Sequence, residues 1–139
     1  KLTELLLART DHAIRVIGSQ CDKYRISVAR AEEESYRLQN HCGELSLRQS
    51  ASLVSTADFV ITNTSLSMHL AGAFSVPSLT LLGDWYESTT LHHSQWGYPE
   101  GLILGKEIST GIKQTSNPMD AYQAVIKNFL HNESMKSHS

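Results

Sequence analysis

The spacing of apolar residues changes period several times along the chain. Leu2, Leu5 and Leu6, followed by Arg9, fall at helical spacing up to Thr10 and Asp11, whereas Ala13-Ile14-Arg15-Val16-Ile17 is β-branched and stops at Gly18. The pattern predicts a helix, a strand over residues 13–17 and a turn. Residues 22–38 are charged and alanine-containing, without proline or glycine, and predict a second helix whose Glu32, Glu33 and Glu34 form a solvated face. The chain then turns at Cys42 and Gly43. Ser46 is placed to cap a third, amphipathic helix built on Leu47, Ala51, Leu53, Val54 and Ala57.

Residues 58–62 read as a short buried strand, followed by the polar cluster Asn63-Thr64-Ser65 and a small-residue helix over 67–74 that Pro77 ends. Residues 78–82 are a further strand, stopped by Gly83. This alternation predicts an α/β fold, a Rossmann-like parallel sheet flanked by helices that contains residues 13–17, 59–62 and 79–82. Ligands on such sheets bind at the carboxyl ends of strands, here residues 18–22, 63–67 and 83–87. Residues 84–105, with Trp85, Tyr86, His92, His93, Trp96, Tyr98 and Pro99, read as a long irregular segment that the aromatics keep ordered. Residues 120–130 predict a closing helix with Ala121, Val125, Ile126 and Phe129 inward, and residues 131–139 a disordered polar tail.

Composition narrows the class of protein. The chain has 139 residues, 40% hydrophobic and 19% charged, which suits a folded globular domain and excludes collagen-like and coiled-coil readings. Lys and Arg number 12 against 14 Asp and Glu, so the basic excess that drives phosphate-backbone binding is missing and no nucleic-acid partner is expected. Cys21 and Cys42 are too few and too far apart for a disulfide framework, and both are expected as reduced thiols in a cytosolic protein. No apolar run approaches the ~18 residues of a membrane span. The sequence opens without methionine, within helical sequence, as a piece of a longer protein would.

The strand-to-helix junction Ile61-Thr62-Asn63-Thr64-Ser65-Leu66-Ser67-Met68-His69-Leu70-Ala71-Gly72-Ala73 carries the clearest chemistry. A helix N-terminus offers unpaired amides and about half a positive charge, and hydroxyls at Thr64, Ser65 and Ser67 add donors, so a diphosphate fits there. The alternative use of Thr64 or Ser65 is to cap the helix. His69 suits either a hydrogen-bonded core histidine or a phosphate ligand that offsets developing charge. Asp22 suits either a helix N-terminal acid or a ribose hydroxyl contact. His41 and Cys42, with Cys21 or with His92 and His93, lack metal-ligand spacing, so no metal is expected. No G-x-x-x-x-G-K, G-x-G-x-x-G or G-x-S-x-G motif is present, which weakens kinase-like, dehydrogenase and hydrolase readings.

The ordered run from Glu44-Leu45-Ser46-Leu47 through Ala57-Asp58 to His69-Leu70-Ala71-Gly72-Ala73, then Pro77 and Leu82-Gly83, resembles glycosyltransferase family 9, the ADP-heptose:lipopolysaccharide heptosyltransferases. That family reads Gly-Lys-x-Ser-Leu, a helix, Ala-Asp, a strand, Asp-Thr/Ser-Gly-x-x-His-x-Ala-x-Ala, then Pro, a strand and Gly. Aligned on His69, this chain has Thr64 for the acid, Ser65 for the hydroxyl and Leu66 for the glycine, and Glu44 replaces the usual lysine.

The resemblance implies the C-terminal, donor-binding domain of a two-domain GT-B enzyme, spanning residues 1–130, with its first strand expected before Lys1. It implies an inverting transfer of heptose from ADP-heptose to a lipopolysaccharide core acceptor. The acceptor and the catalytic base would belong to an N-terminal domain absent from this chain, so the fragment alone is expected to be inactive. Gly18, Asp22, Thr64, Ser65, Leu66, Ser67 and His69 take the donor-binding positions, with His69 stabilising the leaving group. No cofactor is expected. The implied location is the cytoplasm, at the inner face of the bacterial inner membrane, with peripheral membrane association of the full protein. Two other readings stand beside this one: a degenerate, non-catalytic glycosyltransferase-like binding domain, and another nucleotide-sugar enzyme on the same fold.

Overall fold

The structure, a computed structural model, describes residues 2–23, 36–83, 88–105 and 118–127. The backbone divides into two compact units, Lys1–Ser50 and Ala51–Ser139.

In the first unit, helix α1 (Leu2–Arg9) leads to strand β1 (Ile14–Val16), a 3-10 turn (Gln20–Asp22) and strand β2 (Leu38–Asn40). β1 and β2 pair in parallel, Ile14 opposite Leu38 and Val16 opposite Asn40. Leu7, Leu38 and Cys42 are its buried apolar residues. Arg37 joins the end of α1 to β1: its guanidinium donates to the carbonyls of Leu7 and His12 at 3.1 and 3.2 Å and also to that of Thr10. The last carbonyls of a helix lack partners within it, and a planar, five-donor side chain satisfies several together. Leu38 was expected to end a long helix and lies instead in β2; the body of that expected helix, residues 24–35, lies outside the described residues. One buried leucine between polar neighbours gives a three-residue strand no period-2 signature to separate it from a helix end.

Helix α2 (Leu47–Ser55) carries the chain into the second unit. Ser46 caps it as expected, its Oγ accepting from Gln49 N at 3.2 Å while Gln49 Oε1 accepts from Ser46 N at 2.8 Å, a reciprocal capping box. Strand β3 (Val60–Thr62), helix α3 (Leu66–Ala73), strand β4 (Ser78–Leu81), helix α4 (Thr89–Trp96), strand β5 (Gly101–Leu104) and helix α5 (Pro118–Val125) follow. The strands form a parallel sheet in the order β3-β4-β5, Ile61 opposite Leu79 and Leu79 opposite Leu102. α3 packs on β3 and β4, α4 on β5 and α5 on β4. The central strand is the most buried, with Ser78, Leu79 and Thr80 all closed to solvent, and Val54, Met68, Ala71, Val76, Leu82, Ala121 and Val125 complete the core.

The expected strands are present as parallel elements, but the three do not share one ladder. Among the described residues β1 pairs with β2, and β3 with β4. Residues 84–105 require a correction, because they contain α4 and β5 where an irregular segment was expected. Ser88 starts α4 by accepting from Leu91 N at 2.9 Å, and β5 is a short apolar run between Gly101 and Gly105. Ala121 and Val125 face inward as expected and Ile126 is half-buried; Phe129 and the tail, residues 131–139, lie outside the described residues.

α3 ends before Pro77 is reached. Val76 N donates to Ala71 O at 2.9 Å and Ser75 N to Gly72 O at 3.2 Å, with Ser75 at φ 54°. These bonds form a Schellman motif with serine in the left-handed position that glycine usually fills.

Candidate functional site

β3 ends at Thr62, and Asn63-Thr64-Ser65 turns the chain into α3, at the carboxyl edge of the parallel sheet. Ser65 is the N-cap residue, in extended conformation, yet its side chain makes no capping hydrogen bond. Its Oγ lies 3.0 Å from Thr62 Oγ1. Thr64 Oγ1 lies 3.0 Å from His92 Nε2 on α4. Both hydroxyls that were candidates for capping are therefore engaged elsewhere. In the first turn of α3 the Met68 amide donates to Ser65 O at 3.1 Å, and the positive dipole end has no side-chain oxygen of Ser65 bonded over it.

His92 is 2% exposed, and burial holds its imidazole below the ordinary value, with His93 and His69 adding to the effect. Thr64 thus rests on a buried imidazole that favours neutrality. Leu66, the first helical residue, is 54% exposed, so its side chain stands at the mouth of the junction where the resemblance places glycine. Ser67 is half-buried in the same turn.

His69 follows in α3. Its Nδ1 lies 2.8 Å from Tyr98 Oη, and its ring meets Tyr98 at 5.8 Å and 80°, and Trp96 at 6.3 Å and 75°, both edge-on. Trp96 itself is 53% exposed. Gly72, one turn on, is where the Tyr98 ring lies against α3: a Cβ there would sit 2.3 Å from the ring. Thr64, Ser65, Leu66, Ser67 and His69 lie together at this junction because they are nearly contiguous in the chain, whereas the sequence pattern points to no role for Tyr98 and no partner for Thr64. An order of turn, helix and glycine-bounded strand in residues 88–105 was the signal that would have brought His92 and Tyr98 to this edge.

The other expected residues lie in the first unit. Asp22 Oδ2 accepts from Ser19 N at 2.9 Å and from Ser19 Oγ at 2.7 Å, a capping box for the 3-10 turn that follows β1. Gly18 lies against this carboxylate, and Gly43 N donates to Gly18 O at 2.9 Å. Cys42 is fully buried beneath, its thiol pushed up by burial and by the carboxylates of Asp22 and Glu44, against the opposing Lys23. Glu44 pairs with Lys23 at 3.1 Å and lies 3.7 Å from His41 Nδ1, so its charge is matched locally. Among the described residues no group of three His, Cys, Asp or Glu side chains is arranged to hold a metal ion.

Parallel strands with helices packed on them, the end of β3 turning directly into α3, define an α/β protein. Residues 1–98 match the sequence profile of glycosyltransferase family 9 (heptosyltransferase), and the chain belongs to that family. Among solved structures it is similar to E. coli ADP-heptose lps heptosyltransferase II, with a TM-score of 0.71 at 19% identity, over 95% of this chain and 40% of that one. The chain thus spans well under half the length of that enzyme. No curated protein matches it.

Proposed function

We propose that this chain is the donor-binding part of a glycosyltransferase that moves heptose from ADP-heptose to a lipopolysaccharide core acceptor. The observation that carries the proposal is the N-terminus of α3, which lacks a side-chain cap from Ser65, has His69 as its fourth residue and lies at the carboxyl edge of the sheet in a chain of this family.

In the transfer, an acceptor hydroxyl attacks the anomeric carbon, its proton passes to a carboxylate outside this chain, and the bond from that carbon to the diphosphate oxygen breaks. The nucleoside diphosphate leaves with the electron pair. Charge grows on its oxygens as the bond lengthens, and donors fixed beforehand are worth most at that moment. The amides of Leu66 and Ser67, the hydroxyl of Ser67, and His69 are those donors; Thr64 and Ser65, whose Oγ contacts Thr62 Oγ1, shape the loop. Gly18 and Asp22 belong to the same proposal as contacts to the nucleoside. The reaction would take place at the cytoplasmic face of the membrane; no helix among the described residues is long and apolar enough to cross it.

Exposed Leu66 supports a second reading, a binding domain without catalysis, because a side chain stands where backbone would approach a phosphate. Kinetics of the full-length enzyme separate the two. His69→Ala should lower kcat by about 10²-fold with a smaller change in KM. A folded variant with unchanged turnover would remove His69 from the chemistry, and a wild-type enzyme that binds donor without turnover would favour the second reading.

A further inference from the structure

His69 and Tyr98 are 29 residues apart, and the fold brings Nδ1 and Oη to 2.8 Å. A neutral imidazole carries one proton, and the partner of one nitrogen decides which nitrogen holds it. A phenol is the better donor than acceptor, since its oxygen lone pair is delocalised into the ring, whereas an imidazole's unprotonated nitrogen is a strong acceptor. The Tyr98 O–H therefore donates to Nδ1, and the ring proton sits on Nε2. With Nδ1 engaged, Nε2 is the nitrogen that remains for a ligand.

We propose that Tyr98 is a positioning residue that holds His69 in the Nε2–H tautomer, so that the ring offers the donor diphosphate an N–H in place of a lone pair. The other tautomer would turn a lone pair toward an anion and repel it. This rests on the reading of His69 as the leaving-group contact, but the tautomer itself stands apart from that reading.

The surroundings are built to fix the ring pair. Gly72 lies three residues after His69 in α3, and because a Cβ there would sit 2.3 Å from Tyr98 Cγ and Cδ1, only a glycine lets the phenol lie flush on the helix. From the other side, Gly101 N donates to Tyr98 O at 2.9 Å, which ties the tyrosine backbone to the start of β5. Trp96 closes on the histidine edge-on. The phenol is thus anchored to the sheet and seated on the helix that carries the histidine.

Nitrogen-15 NMR of histidine-labelled full-length enzyme, at about pH 8 where a free imidazole is neutral, tests the tautomer, with His69 assigned by its loss in His69→Ala. The wild type should show a protonated Nε2 and an unprotonated Nδ1, and Tyr98→Phe, which keeps the ring on Gly72, should shift the ring toward a mixture containing Nδ1–H. In steady-state kinetics Tyr98→Phe should lower kcat about 3- to 10-fold with little change in donor KM, and should have no further effect on kcat in a His69→Ala background. An Nδ1–H ring in the wild type overturns the proposal. So does a Tyr98→Phe enzyme with unaltered tautomer and kcat. If His69→Ala leaves kcat unchanged while the tautomer still responds to Tyr98→Phe, the leaving-group reading of His69 fails and the hold of Tyr98 on the ring is confirmed.

Discussion

Replacing Gly72 by alanine puts a methyl group 2.3 Å from Tyr98 Cγ and Cδ1 and 2.5 Å from Cδ2. Carbon atoms at optimal contact lie about 3.5–4.0 Å apart, so the ring must retreat by more than an ångström. Overpacking of that kind costs about 1–3 kcal/mol, and displacing the phenol from His69 adds about 0.5–1.5 kcal/mol for the lost hydrogen bond. Alanine returns about 1 kcal/mol of helix propensity. The net expectation is a loss of about 0.5–3.5 kcal/mol from these three contributions. The decisive comparison is with Tyr98→Ala. All three of the nearest atoms belong to the ring, so in that background Gly72→Ala should become stabilising by about 1 kcal/mol. Urea denaturation of the four proteins, read as a double-mutant cycle, measures both values. An equal cost of Gly72→Ala in the two backgrounds would refute the argument that glycine is required by the tyrosine ring.

Three further outcomes are expected. Thr64→Val keeps the shape of the half-buried loop residue but removes the hydroxyl that meets buried His92 Nε2 at 3.0 Å, and should cost about 1 kcal/mol by denaturation, with Thr64→Ser losing much less. Ser75→Gly, at φ 54° in the Schellman position of α3, should raise stability by about 0.5–1 kcal/mol in the same assay; a loss would mean that the left-handed conformation carries no strain there. Because burial holds His92 below its ordinary value, the unfolded chain binds this proton more readily than the folded one. The contribution is fully present above pH 6.5 and is lost as the pH falls below it, so denaturation midpoints should drop on acidification and drop less in His92→Gln.

The elements legible in the sequence were those with their own local signature. Val60-Ile61-Thr62 is β-branched, Ser46 and Gln49 cap α2 by side chains three residues apart, and Ala71-Gly72-Ala73 marks a helix that lies close on a sheet. β2 was hidden because Leu38 alone in it is buried, and because its pairing with β1 is a contact 24 residues away that no local pattern reports. α4 was hidden by its β-branched Thr89 and Thr90, and by two histidines and a tryptophan that suggested an irregular functional segment. The run Leu102-Ile103-Leu104 between glycines was the strand signal passed over for the same reason. The candidate site divides the same way. His69 and its neighbours could be found because they are contiguous, whereas His92 meets Thr64 from 28 positions away and Tyr98 meets His69 from 29. Asp22 shows the reverse case: its position after a strand was legible, and its carboxylate proves to be bound by Ser19.

The central claim is that this family 9 chain binds a sugar nucleotide of the adenine series, and calorimetric titration of the full-length protein with ADP and with UDP tests it most directly. The account predicts saturable one-site binding of ADP at least about tenfold tighter than UDP, a difference of roughly 1.4 kcal/mol. Preference for UDP would point to another nucleotide-sugar enzyme on the same fold, and absence of binding by either diphosphate would contradict the donor-site assignment.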